Sequence, residues 1–469
     1  MLSVTNGTPP GPTCAAAPVE TARLQWRVAD GGDPARLLTD FLTRHGLPAD
    51  DLSRTGPDRP HRPGTPCGAA LLISAAAAAR MAGAPAGPAT PAPAVPDLVA
   101  VVYGHADGAA LPSPPAHPAD PHRAPAATPD GGAVMNPHDA AAADPHRAPP
   151  DSGSAGAPGA AARPPASGPA AADRGGSPGA IGDWALGPWR PSWTEEAHAD
   201  AVRRVRREIA RGAVYQVNVV GHASAAYRGD PLPALRRLAA LPGARYGGLL
   251  TGPGWAVACA SPETLVRVRA GRADTRPIKG TRPATAAGRR ELLASAKERA
   301  EHVMIVDLAR NDLSRVARTG TVRVDELFGI RRWCDLWQAE SSVSATLRPG
   351  TGLADLLRAL CPGGSVTGAP KLAALGVLAD LEPVGRGPAM GAFGWFDGDG
   401  LDLGLTIRTA AADARRLHLW AGGGITWGSD PAAEVAEAAA KAAPLRAALA
   451  PPGPAAAVVS GRRRRPGEG

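Results

Sequence analysis

Apolar residues come in short runs over the first hundred positions, and each run predicts an element. Leu71–Ala82 reads as a buried helix or a strand followed by a helix, and 96–103 (PDLVAVVY) as a strand. From Gly104 to Gly182 the pattern stops. That stretch is Pro, Ala, Gly, Asp and His, with ADPHRAP repeated at 119–125 and 143–149. Branched apolar residues are too few there to offset the entropy of ordering, so 104–182 reads as a disordered insert. The amphipathic period returns after Trp184. Thr194–Arg211 has an N-cap threonine, early acids, later arginines and a closing Gly212, which together predict a helix. Val214–Val220 reads as a strand and Trp255–Val268 as the two strands of a hairpin. Helix and strand signals then alternate irregularly to Leu449, without repeating βα units. The expected class is α+β, not a barrel or a nucleotide-binding parallel sheet.

Composition narrows the chemistry. The chain has 469 residues and a formal charge of +8, of which four come from the run Arg462–Arg465. No aromatic residues interleave with that run, so it reads as a basic disordered tail and no nucleic-acid partner is expected. Five cysteines at 14, 67, 259, 334 and 361 form no CxxC pair, which suits reduced thiols. No leader pattern and no apolar run of about 18 residues is seen. The expectation is a soluble, cytoplasmic protein with no membrane partner. Among 51 basic residues only four are lysine, at 279, 297, 371 and 441. In an arginine-biased chain, a retained lysine marks a position where an amine that can lose its proton is useful.

The chemistry-bearing motifs surround those lysines. Glu298 and Glu301 lie three apart on one predicted helix, and Glu434 and Glu437 on another that starts at Ser429 or Asp430 with Pro431 in its first turn. Such spacing puts each pair on one helix face. If the faces meet, four carboxylates surround one point, a hard-oxygen site suited to magnesium; taken alone, either pair is also what a solvated helix face looks like. Gly363–Lys371 (GGSVTGAPK) leads into an apolar helix and offers free backbone N–H groups, with Thr367, Gly368 and Lys371 near an anion. Gly422–Gly424 allows close backbone approach to a ligand, or a tight bend. Arg408 ends the alternating run LDLGLTIRT and could grip a carboxylate. No GxGxxG, GxxxxGK[ST] or nucleophile-elbow motif occurs.

The strings YQVN (215–218), SPE (261–263), PIKGT (277–281), KERAEHVMIVDLARNDLSRV (297–316), GGSVTGAPK, IRTA (407–410), AGGGI (421–425) and SDPAAEVAEAAAK (429–441) resemble the chorismate-utilising enzymes, in the family's order from Ser192 to Leu449. The resemblance implies an anthranilate-synthase-like core of packed antiparallel sheets with outer helices. Together with the compositional zones, this divides the chain into an N-terminal subdomain (1–103, with a disordered start), the insert (104–182), a core (183–450) that the resemblance implies binds chorismate and is catalytic, and the tail (451–469).

The family's roles map onto this chain position by position. Glu301 and Glu437 resemble direct magnesium ligands holding the substrate's ring carboxylate, with Glu298 and Glu434 supporting them. Glu263 resembles the general acid for the hydroxyl leaving carbon 4. Gln216 stands where water-adding members carry a lysine base, which disfavours isochorismate and salicylate synthesis. Lys279 resembles the nucleophilic lysine of aminodeoxychorismate synthases, where anthranilate synthases read PIAGT. With Gly280, Thr281, Gly423, Gly424 and Arg408 it forms the expected substrate site. Gln338 takes the place of a histidine common in the family. The implied activity is amination of chorismate to 4-amino-4-deoxychorismate by component I of an aminodeoxychorismate synthase, on the route to para-aminobenzoate and folate. Ammonia would come from a separate glutamine amidotransferase subunit. An anthranilate synthase component I and a non-catalytic chorismate-binding paralogue are the alternatives. Lys297 reads as a surface residue and Lys441 as a partner for Glu437.

Overall fold

The computed structural model describes residues 18–56, 66–104 and 184–451. The readings of a disordered start, of the insert and of the tail fall almost entirely on residues outside that set. Two antiparallel sheets carry the described fold. The larger has ten strands. In spatial order they are Val19–Trp26, Leu98–Gly104, Gly68–Ile73, Ala392–Asp397, Gly400–Leu405, Thr264–Arg269, Arg272–Arg276, Leu336–Thr346 and Ile278–Pro283, with Arg323–Trp333 on the other edge of Leu336–Thr346. Residues 19–104 thus supply three strands that run on into the sheet through the pairing of Gly68–Ile73 with Ala392–Asp397. The smaller sheet runs Gly368–Ala369, Gln216–Arg228, Arg416–Ile425, Thr409–Ala412, Trp255–Ser261 and Tyr246–Gly252, with two short strands at 185–186 and 190–191.

Why 71–82 was ambiguous is now visible. Gly68–Ile73 is buried at every position, because both its faces are covered, and so it shows no alternation. Ser74 then stops the strand and caps the helix Ala75–Met81, accepting from Ala77 N at 3.0 Å and donating to Asp97 Oδ1 at 2.8 Å. The helix predicted after Thr194 forms as Glu195–Ala210 with Thr194 as its cap.

The hairpin expected over 255–268 does not form. Trp255–Ser261 belongs to the smaller sheet and Thr264–Arg269 to the larger, so residues 262 and 263 cross from one sheet to the other. Alternation identifies a strand but not its partner. Arg408 likewise does not end a strand. Gly400–Leu405 lies in the larger sheet, Thr409–Ala412 in the smaller, and Arg408 sits on the crossing between them in the left-handed region at φ 53°. The two crossings are bonded to each other: Leu405 N donates to Glu263 O at 3.0 Å, and Ala260 N donates to Arg408 O at 3.1 Å. The space between the sheets is filled by Val257, Cys259, Leu265, Val266, Leu401, Leu403 and Leu405, all nearly solvent-free. Each fully buried leucine among them is worth ~1.5–3 kcal/mol.

Two helices of 19 residues close the arrangement from opposite sides. Ala296–Ser314 packs on Leu336–Thr346 of the larger sheet, and Pro431–Leu449 packs on Arg416–Ile425 of the smaller. Ser295 caps the first through Glu298 N at 3.2 Å, and Asp430 caps the second through Ala433 N at 2.9 Å. Among the described helices none is long and apolar enough to cross a membrane.

Candidate active site

The sheet crossings, the strand Ile278–Pro283 and the two long helices enclose a cleft of about 850 Å³, counted out to its mouth. Glu263 enters from the first crossing. Its N–H bonds to Ser261 Oγ at 3.2 Å, and its carboxyl, 4% exposed, accepts a 2.5 Å bond from Ser365 Oγ. Burial pushes this carboxyl up from 4.5 to about 7, against the opposing pull of the Ser365 bond and the Lys279 charge. Arg408 enters from the second crossing. Its guanidinium lies 4.3 Å over the Trp333 ring and donates to Lys441 O at 3.2 Å.

Lys279 owes its position to a bulge. Lys279 and Thr281 face the adjacent partners Ala339 and Gln338, so Gly280 is the extra residue, at φ 70°. A Cβ on Gly280 would stand 2.7 Å from Leu292 Cδ1 and 3.0 Å from Glu298 Oε2, so the bulge requires glycine for space as well as for conformation. Lys279 remains partly accessible through the cleft. Desolvation lowers the pKa of its amine; the Glu301 charge opposes this, and the Lys441 charge adds to it. On the far wall, Gly424 gives the amine room: a Cβ there would overlap Lys279 Nζ and lie 2.9 Å from Gln216 Nε2.

The helices bring the two glutamate pairs to the same cleft. Glu298 accepts from Arg282 Nη1 at 3.2 Å and Glu301 from Thr426 Oγ1 at 3.1 Å. Glu434 accepts from Ser429 Oγ at 2.6 Å, and Glu437 pairs with Lys441 at 2.6 Å. Lys441 also donates to Gly422 O at 3.0 Å. Burial raises the pKa of Glu298 and Glu434, whereas the ammonium of Lys441 holds Glu437 below its ordinary range. Lys297 sits between the pairs, 3.7 Å from Glu301 and 3.9 Å from Glu434. It is therefore part of the cleft and not only a surface residue.

Most expected site residues meet here: Glu263, Lys279, Gly280, Thr281, Glu298, Glu301, Gln338, Arg408, Gly424, Glu434 and Glu437 all line the cleft. Gly423 lies beneath the carboxylates, where a Cβ would be 3.0 Å from Glu434 Oε2. Gln216 is 1% exposed with neither amide atom bonded, and its amide meets Gly424 behind the lining. Three residues point elsewhere. Thr367 Oγ1 donates to Gly363 O at 2.9 Å, Gly368 pairs with Val217, and Lys371 forms a buried ion pair with Asp312 at 2.9 Å. Gly364–Thr367 makes only one helical turn, and of the GGSVTGAPK segment Ser365 and Val366 alone reach the cleft. Ser365 and Asn218 were missed, because neither type nor spacing sets them apart from other short polar residues. Lysine scarcity was the signal that could have placed Lys297.

The donors suit a hard cation: four carboxylates from two helices share one cleft with hydroxyl partners. Among the described residues, however, no three acidic, His or Cys side chains are drawn together closely enough to encircle an ion, and Lys297 and Lys441 fill the gaps. Charge counting favours an added cation once an anionic ligand binds. Glu263, Glu298, Glu301, Glu434 and Glu437 face Lys279, Lys297, Lys441 and Arg408, so the wall already has one carboxyl more than it has cations.

Residues 170–447 match the sequence profile of the chorismate binding enzymes. The aminodeoxychorismate synthase component 1 of Klebsiella aerogenes is 40% identical over 256 residues, 53% of this chain and 57% of that protein. The anthranilate synthase component 1 of Streptomyces coelicolor is also 40% identical, over 257 residues, 53% of this chain and 50% of that one. The chain thus spans about half the length of the curated relatives it matches. The crystal structure of anthranilate synthase component I from Streptococcus pneumoniae superposes with a TM-score of 0.64 at 20% identity, covering 94% of each chain, a likeness of fold.

Proposed function

The chain belongs to the chorismate binding enzyme family, and within it we propose that it aminates chorismate at carbon 4, as component I of an aminodeoxychorismate synthase. One observation carries the reading: the amine of Lys279 stands in the same cleft as the raised carboxyl of Glu263, and desolvation lowers the pKa of that amine. A neutral amine is a nucleophile and a protonated carboxyl is an acid, and burial shifts each group toward the form its task needs. The amine attacks carbon 2 while Glu263 protonates the hydroxyl leaving carbon 4. Ammonia, supplied by a glutamine amidotransferase subunit, then attacks carbon 4 and expels the lysine. Arg408, stacked on Trp333, offers a fixed fork for a substrate carboxylate.

Magnesium would be held by Glu301 and Glu437, with Glu298 and Glu434 behind them. It would offset the charge of a dicarboxylate in a cleft whose acids already outnumber its cations. The Thr426 and Ser429 hydroxyls orient Glu301 and Glu434 for that task.

Anthranilate synthesis is the second reading, favoured by relatives of that name at the same 40% identity. Chromatography of the products from chorismate, ammonium and magnesium separates the two. A carbon-4 amine with no pyruvate is expected. Anthranilate with one equivalent of pyruvate would overturn the proposal in favour of the second reading.

A further inference from the structure

A second cavity, of about 360 Å³ counted out to its mouth, adjoins the cleft, and two residues, Glu263 and Ser365, belong to the walls of both. The rest of its wall is largely apolar, with Leu265, Ile305, Leu360 and Leu405 at its sides. Leu308 and Ala309 are half-buried, so the cavity reaches toward the surface beside the helix Ala296–Ser314. Its charged exception, Asp312, is already neutralised by Lys371 at 2.9 Å. While Glu263 holds its proton, an ammonium ion would have to shed its water there without an unpaired carboxylate to receive it, whereas a small neutral amine loses far less. Nothing in the cleft chemistry described above uses this space.

Its position matches a need of the reaction. The second nucleophile must arrive at carbon 4, the carbon that Glu263 serves. We infer that the second cavity is the binding pocket for that ammonia, which passes the Ser365–Glu263 pair to reach the substrate; the inference rests on the amination reading above. The balance closes at the shared wall. In the first step the Lys279 amine bonds to carbon 2, the ring double bonds shift toward carbon 4, and the carbon 4–oxygen bond breaks as Glu263 gives its proton to the departing hydroxyl, which leaves as water; Lys279 becomes a charged adduct on carbon 2. In the second, the nitrogen of ammonia bonds to carbon 4, the ring double bonds shift back toward carbon 2, and the carbon 2–Nζ bond breaks with its electron pair returning to Nζ. The new ammonium group hands one proton to the Glu263 carboxylate, which restores the acid. A pocket behind Glu263 delivers the nucleophile beside the one base that the first step has just created.

Two substitutions outside the cleft test this on the whole chain, with ammonium as the nucleophile. Ala309→Phe should plug the cavity and raise the KM for ammonium at least ~10-fold, with the KM for chorismate and the melting temperature unchanged. Leu308→Ala should widen it, so that methylamine competes better against ammonium, with the ratio of N-methylated to unmethylated product rising ~10-fold. A folded Ala309→Phe with the wild-type KM for ammonium overturns the inference. If Ala309→Phe fails to fold, a wild-type methylamine ratio in Leu308→Ala overturns it instead. Should the unaltered chain form no carbon-4 amine at all, the functional reading falls and takes this inference with it. Amination that is indifferent to both substitutions removes the cavity alone.

Discussion

The wall of the cleft built on the sheets and the wall built on the helices use the same two residue types in different settings. On the sheet wall, Glu263 is buried and its carboxyl rises to about 7, while enclosure lowers the amine of Lys279. On the helix wall, Glu437 is held below its ordinary range by Lys441, and Lys297 stands half in solvent between two carboxylates. Desolvation dominates at Glu263 and Lys279 and, on the helix wall, at Glu298 and Glu434, whereas the Lys441 counter-charge dominates at Glu437. One cleft can therefore shift an acid and an amine toward their neutral forms while holding the carboxylate of Glu437 toward its charged form.

The comparison can be broken most severely from the helix wall. If its carboxylates need a cation to receive a dianion, excess chelator should abolish turnover and added magnesium should restore it. Glu437→Gln should then weaken chorismate binding ~10–100-fold, read by titration at fixed magnesium. Full activity in chelator would remove the distinction between the walls. Next comes the sheet wall. Lys279→Arg keeps a positive charge and loses the nucleophile, so product formation should fall at least ~100-fold, about 3 kcal/mol of barrier. Mass spectrometry of the quenched wild-type enzyme should find a substrate adduct on the peptide carrying Lys279. Near-normal rates in Lys279→Arg would reduce that lysine to a charge beside an anion.

A smaller effect sharpens the contrast. Glu263 must be protonated to act, and its pKa in the folded protein is raised. Turnover per neutral ammonia should therefore fall as pH rises through about 7. The same shift gives a stability contribution that is full below 4.5 and lost as pH climbs through about 7. Glu263→Gln should melt with less dependence on pH between those values, a comparison for calorimetry at pH 5 and pH 8. The slightest change expected is in Lys297→Met. It removes an exposed cation competing for Glu301 and Glu434, so the magnesium concentration for half-maximal rate should drop ~2–5-fold with little change in melting temperature.

Much of this was legible in the sequence where local chemistry decides. Thr194 capped the helix it was expected to cap, the α+β class held, and eleven of the sixteen expected site residues line the cleft, the exceptions being Gly423, Gln216, Thr367, Gly368 and Lys371. What failed depended on partners far along the chain. Trp255–Val268 has the alternation of two strands, but nothing local says that residue 264 begins pairing with Gly404. Lys371 looked like an anion-binding charge because its partner Asp312 sits on another helix. Ser365 is one short polar residue in a glycine-rich string until its 2.5 Å bond to Glu263 is seen.

The paired crossings carry one last implication. Glu263 and Arg408 are placed only when two strands have each left one sheet for the other and the turns between them are tied by the bonds of Leu405 and Ala260. A chain with one sheet assembled and the other still open would present neither group in position. Turnover should then be all-or-none with respect to assembly, so that specific activity counts finished molecules and partial maturation goes unrewarded.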